Sequence, residues 1–276
     1  AYDATLMAQM ADALHKPEQA AYYRQLFDHI RDAFDKAFVQ PDGTVGSGSQ
    51  TSDVLALHMD LLPEDLRAKV ADTLVADIHA HQGHLTTGFL GTPYIMLELT
   101  RSGHSDTAYE LLFNKTFPSW GYMIEHGATT MWERWNGNQM LNDPTMNSFN
   151  HYAYGAVGEW LYRDLAGIDI DTPGFHGILM RPQFSSALGE ASATYDSPYG
   201  SISSAWTDDG HTISWKVTIP ANTTALLYFP SGSGSISADG HSIASAHGIH
   251  RKDSQDEAAV YEATSGTYAF TMKASR

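Results

Sequence analysis

The side chains that chemistry needs are concentrated between Trp120 and His151, in the stretch WGYMIEHGATTMWERWNGNQMLNDPTMNSFNH. Trp120, Trp132 and Trp135 are three of the chain's 6 tryptophans. Aromatic faces of this kind can stack on the apolar C–H faces of sugar rings. Hydrolysis of a glycosidic bond needs two carboxyl groups, one acid and one base or nucleophile. Glu133 lies between Trp132 and Trp135 in a loop flanked by glycines, and desolvation by such neighbours makes a carboxylate more basic. Two other carboxylates compete for the role. Asp143 precedes Pro144 and has the character of a turn former, while Glu125 has His126 and Arg134 as possible partners. Plainer readings stand beside these: indoles near a helix end often belong to a core, and a loop glutamate can be solvated or cap a turn. His151 opens a final helix, capped by Ser148 or Asn150. It is either a first-turn polar residue or a ligand for a sugar hydroxyl in the same cavity as Glu133.

The elements that must position this segment fall into two compositions. Residues 1–168 have helical periodicity. Tyr23, Leu26, Phe27, Ile30, Phe34 and Phe38 form one apolar stripe, and Leu66, Val70, Leu74 and Ile78 another. Helices are expected over about 2–15, 18–39, 52–60, 64–81, 93–102, 105–116 and 150–166, with Pro17 and Pro63 at first-turn positions. Short turns (HKPE, TRSGHS) alternate with long Gly- and polar-rich loops, which suits a toroid of paired helices with its functional loops at one end. Beyond DIDTPGF the period becomes two, at Ile202, Ser204 and Trp206, at Ile213, Trp215, Val217 and Ile219, and at Tyr268, Phe270 and Met272. Turn signals lie between these runs. The expected fold class is therefore mostly α plus β: helical hairpins over 1–170, then an antiparallel β-sandwich over 171–276, dividing near 168–176 where Pro173-Gly174 cannot continue a helix.

Bulk composition narrows the chemistry further. With 32 acidic against 16 basic residues, the net charge of −16 argues against nucleic acid and anionic membrane surfaces. Absence of cysteine removes disulfide and thiol chemistry. No apolar run reaches the roughly 20 residues of a membrane span, so a soluble chain is expected, and nothing specifies its compartment. The opening AYDATLMAQM lies already inside a helical pattern and is taken as a cut. HAHQGH at 79–84 is histidine-rich, yet His79 and His81 point apart on a helix, so no metal is expected. GHLTTGFLGTP has no phosphate-loop or dinucleotide pattern, and no GxSxG elbow exists. No cofactor is implied.

Four stretches resemble the α-L-rhamnosidases of glycoside hydrolase family 78: GSGSQTSDVLAL (46–57), GHLTTGFLGTPYIMLEL (83–99), SWGYMIEHGATTMWERWNG (119–137) and NSFNHYAYGAVGEWLYRDLAGI (147–168). They come in that family's order. The resemblance implies a partial (α/α)6 toroid and an inverting enzyme that releases terminal L-rhamnose from a rhamnose-containing glycoside. Within T-T-x-W-E-R-W, it makes Glu133 the general base. It puts the family's rhamnose-contacting histidine at His151, and Trp120, Tyr122 and Trp132 in the pocket wall. The family's general acid belongs to the first half of the barrel, and nothing in 1–50 matches it. About half a barrel is thus expected, partnered by a complementary N-terminal part of the same enzyme. Two other readings remain: another glycosidase on the same toroid, and a non-catalytic carbohydrate-binding or assembly fragment.

Overall fold

A computed structural model describes residues 1–140, 148–252 and 259–274. The chain forms two compact units, Ala1–Val157 and Gly158–Arg276.

The first unit is built from helical hairpins. Helices α1 (Tyr2–Ala13) and α2 (Pro17–Phe38) pack on each other, as do α3 (Gln50–His58) with α4 (Glu64–Ala80), and α5 (Thr92–Arg101) with α6 (Ser105–Phe113). The three tight turns share one chemistry. His15, Asp60 and Gly103 each adopt positive φ after a helix, and the amide of each, with the one that follows it, returns to carbonyls of that helix's last turn. An example is His104 N–H to Leu99 O at 2.7 Å. This paired closure satisfies carbonyls that a helix end leaves orphaned and reverses the chain in few residues. The opposite connections, 39–49, 81–91 and 114–119, are longer, so the expected alternation of short and long loops is present. Val54, Leu57, Val70, Leu74, Ile78, Ile95, Met96, Leu99 and Leu111 form the core between α3, α4, α5 and α6.

Three features depart from the sequence expectation. The α2 stripe is not core in this chain: Tyr23, Leu26, Phe27, Ile30 and Phe34 are half-buried, Phe38 is exposed, and Ala20 alone is buried on that helix. A short helix, α7 (Trp120–Glu125), was also unanticipated. Ser119 caps it by accepting from Tyr122 N–H. The single helix expected over 150–166 is three pieces: α8 (Tyr152–Gly155), α9 (Val157–Trp160) and a π-helical turn at Leu161–Leu165.

In the second unit, β1 (Ile168–Ile170) runs antiparallel to β2 (Gly177–Met180), with a tight turn at Pro173–Phe175 between them. Strands β3 (Glu190–Ser197) and β4 (Gly200–Asp208) make a hairpin that continues onto β5 (Thr212–Phe229). Strand β5 pairs along its length with β9 (Ala259–Lys273). Short strands β6 (Ser237–Ala238) and β8 (Ile249–Lys252) add to β9, and β7 (His241–Ser242) adds to β6. All these pairings are antiparallel except β2 against β5, which is parallel. An irregularity between Ile219 and Thr224 splits the β5–β9 ladder. One half carries β4 and β6 at its flanks, the other β2 and β8, so the two long strands serve both layers of the sandwich. Trp206, Trp215, Phe229 and Phe270 fill the interior, with Phe229 and Phe270 ring centroids 5.2 Å apart. Its buried polar atoms are paired: Trp215 donates to Ser204 Oγ at 3.0 Å, and Trp206 to Leu165 O at 2.8 Å.

Candidate active site

Two extended segments, 130–133 and 148–151, lie side by side. Glu133 N–H donates to Ser148 O at 2.9 Å and His151 N–H to Met131 O at 2.8 Å, while Thr130 Oγ1 donates to Phe149 O. Trp132 fixes the first segment by packing edge-on to Phe149. Gly137 is required beneath it, since a Cβ there would stand 2.8 Å from the Trp132 ring. Glu133 is only 6 % exposed, and its Oε2 accepts from Ser148 N–H at 2.6 Å. A buried carboxylate with one oxygen held by a backbone amide has a fixed orientation.

An aromatic chain runs past this carboxylate. Trp120 donates its indole N–H to Tyr154 O at 2.9 Å and meets Trp135 edge-on. Trp135 stacks on Tyr154 with centroids 3.9 Å apart. Tyr154 touches Phe89, and Phe89 stacks on His151 at 4.7 Å and 17°. Burial raises the Tyr154 phenol above its ordinary pKa; Arg134 opposes the rise and Glu133 adds to it, so the phenol lies in the field of both charges. Trp120 and Trp132 are buried, so in this chain they back the site rather than stand open. Tyr122 belongs to a neighbouring cluster, beside Phe117 and His126, with its hydroxyl 3.4 Å from Asn138 Oδ1.

His151 is itself the N-cap of α8, in place of the expected Ser148 or Asn150: its Nδ1 accepts from Ala153 N–H at 3.2 Å. An accepting Nδ1 carries no proton, so the neutral ring's proton sits on Nε2, which becomes a donor. Ser148 Oγ instead accepts from Asn150 N–H. Glu125 pairs with Lys115 at 2.9 Å rather than with Arg134, and that bond and charge hold its carboxyl below the usual range. Such an exposed, charge-paired carboxylate is a poor base. Asp143 lies outside the described residues. His79 and His81 serve separate acids, Glu110 and Asp77.

Phe89 and Tyr154 are the residues that sequence reasoning missed. A signal existed for Phe89: an apolar pair, Phe89-Leu90, set between Gly88 and Gly91 and preceded by Thr86-Thr87. Tyr154 was hidden in the apolar pattern of the final helix.

Three helical hairpins thus precede a segment that holds a buried carboxylate among indoles. Residues 1–165 match the bacterial alpha-L-rhamnosidase 6 hairpin glycosidase domain, and residues 167–244 match the bacterial alpha-L-rhamnosidase C-terminal domain. The chain belongs to the bacterial α-L-rhamnosidase family. It is 43% identical over 275 residues to an α-L-rhamnosidase of Streptomyces avermitilis, covering 99% of this chain and 26% of that protein. It is 39% identical to one of Formosa agariphila, over 99% of this chain and 30% of that protein. The crystal structure of the S. avermitilis enzyme complexed with L-rhamnose superposes with a TM-score of 0.88 at 41% identity, covering 98% of this chain and 26% of that one. An α-L-rhamnosidase from Dictyoglumus thermophilum gives 0.89 at 33%, covering 99% and 31%. The chain thus spans between a quarter and a third of the length of these relatives. Among the described residues, no helix is long and apolar enough to cross a membrane.

Proposed function

We propose that this chain is the base-bearing part of an inverting α-L-rhamnosidase. Residues 1–170 supply the second half of its (α/α)6 barrel and 171–276 its C-terminal sandwich. One observation carries the reading: Glu133 is buried, oriented by Ser148 N–H, and lies in the segment hydrogen-bonded to the one that ends in His151. Glu133 takes the proton of the attacking water. A carboxylic acid on the complementary N-terminal part protonates the leaving oxygen, about 6.5–9.5 Å away across the sugar. His151 offers its Nε2–H to a rhamnose hydroxyl. Trp120 and Trp132 back the pocket wall, and Tyr122 lies at its edge. The half-buried α2 stripe supports a partner half.

In the complete enzyme, Glu133→Gln keeps the shape but cannot accept the proton. The expected loss is about 10²–10⁴-fold in kcat with KM little changed. Azide should partly rescue Glu133→Ala and yield β-rhamnosyl azide, because the small anion attacks from the face that water used. The 2.6 Å bond to Ser148 favours a second reading, in which Glu133 is only a structural tie. That reading requires a lowered Tm and near-normal kcat in Glu133→Gln. Should it prevail, the proposed base is wrong.

A further inference from the structure

The loop after α4 is anchored at both ends, and its centre is not buried. Gln50, fully buried at the start of α3, donates through Nε2 to His84 O at 3.2 Å and accepts through Oε1 from Thr86 N–H at 2.8 Å. Asn114 Nδ2 donates to Gly83 O at 2.7 Å. The buried hydroxyls of Thr87 and Thr92 close the loop at 2.8 Å. Gly91 is confined: a Cβ there would meet Thr87 Cγ2 at 2.8 Å and Thr51 Oγ1 at 2.9 Å. So firm a frame holds out an apolar ring that is 43% exposed, Phe89, nearly parallel to the His151 imidazole.

We infer that Phe89 is a positioning residue for His151. Two contacts then fix the imidazole. Ala153 N–H on Nδ1 sets which nitrogen carries the proton, and the Phe89 face limits rotation about χ2, keeping Nε2–H directed outward. Without the ring, the imidazole can swing off Ala153 N–H, a 3.2 Å bond that alone is weak. This inference rests on the proposed role of His151 as a sugar donor.

The test uses the complete enzyme. Phe89→Ala should raise KM about tenfold with kcat within about threefold, since one neutral hydrogen bond to substrate is at stake in ground and transition states alike. Phe89→Tyr should restore KM to within about twofold, whereas Phe89→Leu, apolar without a ring, should behave like Phe89→Ala. Adding Phe89→Ala to His151→Ala should change KM little further, because both act through one group. Crystals of the Phe89→Ala enzyme should show the imidazole off Ala153 N–H or in two orientations. Full additivity of the two substitutions would overturn the inference, as would an unmoved imidazole with unchanged KM. If His151→Ala itself leaves KM unchanged, the sugar contact is what fails, and the imidazole orientation in the Phe89→Ala crystals alone decides the positioning role.

Discussion

Trp215, Phe229 and Phe270 in the sheet unit are each 1% exposed. The α2 stripe of the helical unit is no less apolar, yet Leu26, Phe27, Ile30 and Phe34 are only half-covered. The two regions meet the same requirement, burial of one apolar face, by different means. The sandwich turns one half of the β5–β9 ladder over the other and closes on itself. In the helical unit α2 packs on α1, and its apolar stripe stays half-buried. A closed layer pair can carry its own stability, whereas a helical face left half-buried keeps part of its apolar area in contact with water.

The largest test of that contrast sets Trp215 against Phe34. Trp215→Ala removes a fully buried indole and should cost about 3–5 kcal/mol in urea unfolding followed at the sheet unit. Phe34→Ala should cost clearly less in this chain, about 1–2 kcal/mol, because the ring is only partly buried. In the complete enzyme the Phe34→Ala cost should rise towards the core value. Equal costs in the isolated chain would break the comparison. The open stripe also predicts association of this chain by light scattering. Replacing Leu26 and Phe34 together by Lys should reduce it.

The next test is a property that the units share. Each holds a carboxyl whose pKa is raised to about 7: Asp53 on α3 by burial and then by the Asp77 charge, and Asp164 by burial, against Arg163 and Arg181. Asp53 Oδ2 is buried without a hydrogen-bond partner. Both groups hold a proton in the folded chain that an unfolded Asp, at 3.8, gives up. Their contribution is therefore fully present below about pH 4 and is lost as pH rises through about 7. Each should account for about 2 kcal/mol after allowance for solvent screening, seen as a Tm that falls from about pH 4 to about pH 7 and then levels off. Asp53→Asn and Asp164→Asn should each flatten part of that slope. A slope unchanged in both variants would place the pH dependence elsewhere.

Legibility followed the range of the interactions. The hairpins were readable because periods of 3.6 and two are local, and the alternation of loop lengths located the loop end. The WERW segment was readable because Trp, Glu and Gly crowd into it. What escaped depended on contacts between distant residues. Phe89 and His151 are far apart in the chain, and no spacing rule pairs them. The parallel pairing of β2 with β5 is a crossover that strand patterns do not specify. The periodicity of 150–166 was real, but it does not distinguish an α-helix from one broken after Gly155 and loosened to a π turn at Leu161–Leu165. The α2 stripe is legible as apolar, but its degree of burial depends on packing that periodicity does not specify.

The smallest effect probes how firmly the helical unit holds its own loops. Ser49 and Ser52 cap α3 reciprocally: Ser49 Oγ accepts from Ser52 N–H at 3.3 Å, and Ser52 Oγ accepts from Ser49 N–H at 3.1 Å. Ser49→Ala should cost about 1 kcal/mol, and Ser49→Asp, which still accepts and suits the helix N-terminus, close to nothing. The cap lies one residue before Gln50, whose amide clamps His84 and Thr86. Fraying of the first α3 turn should therefore loosen the 84–91 loop as well as α3. Hydrogen exchange can separate these effects. Thr86 N–H, bonded to Gln50 Oε1, should exchange about fivefold faster in Ser49→Ala, in line with a local loss of about 1 kcal/mol, while amides in the β5–β9 ladder keep their rates. Unchanged exchange at Thr86 would mean that the loop holds its shape independently of α3, and would leave the Thr87–Thr92 hydroxyl pair as the main anchor of Phe89.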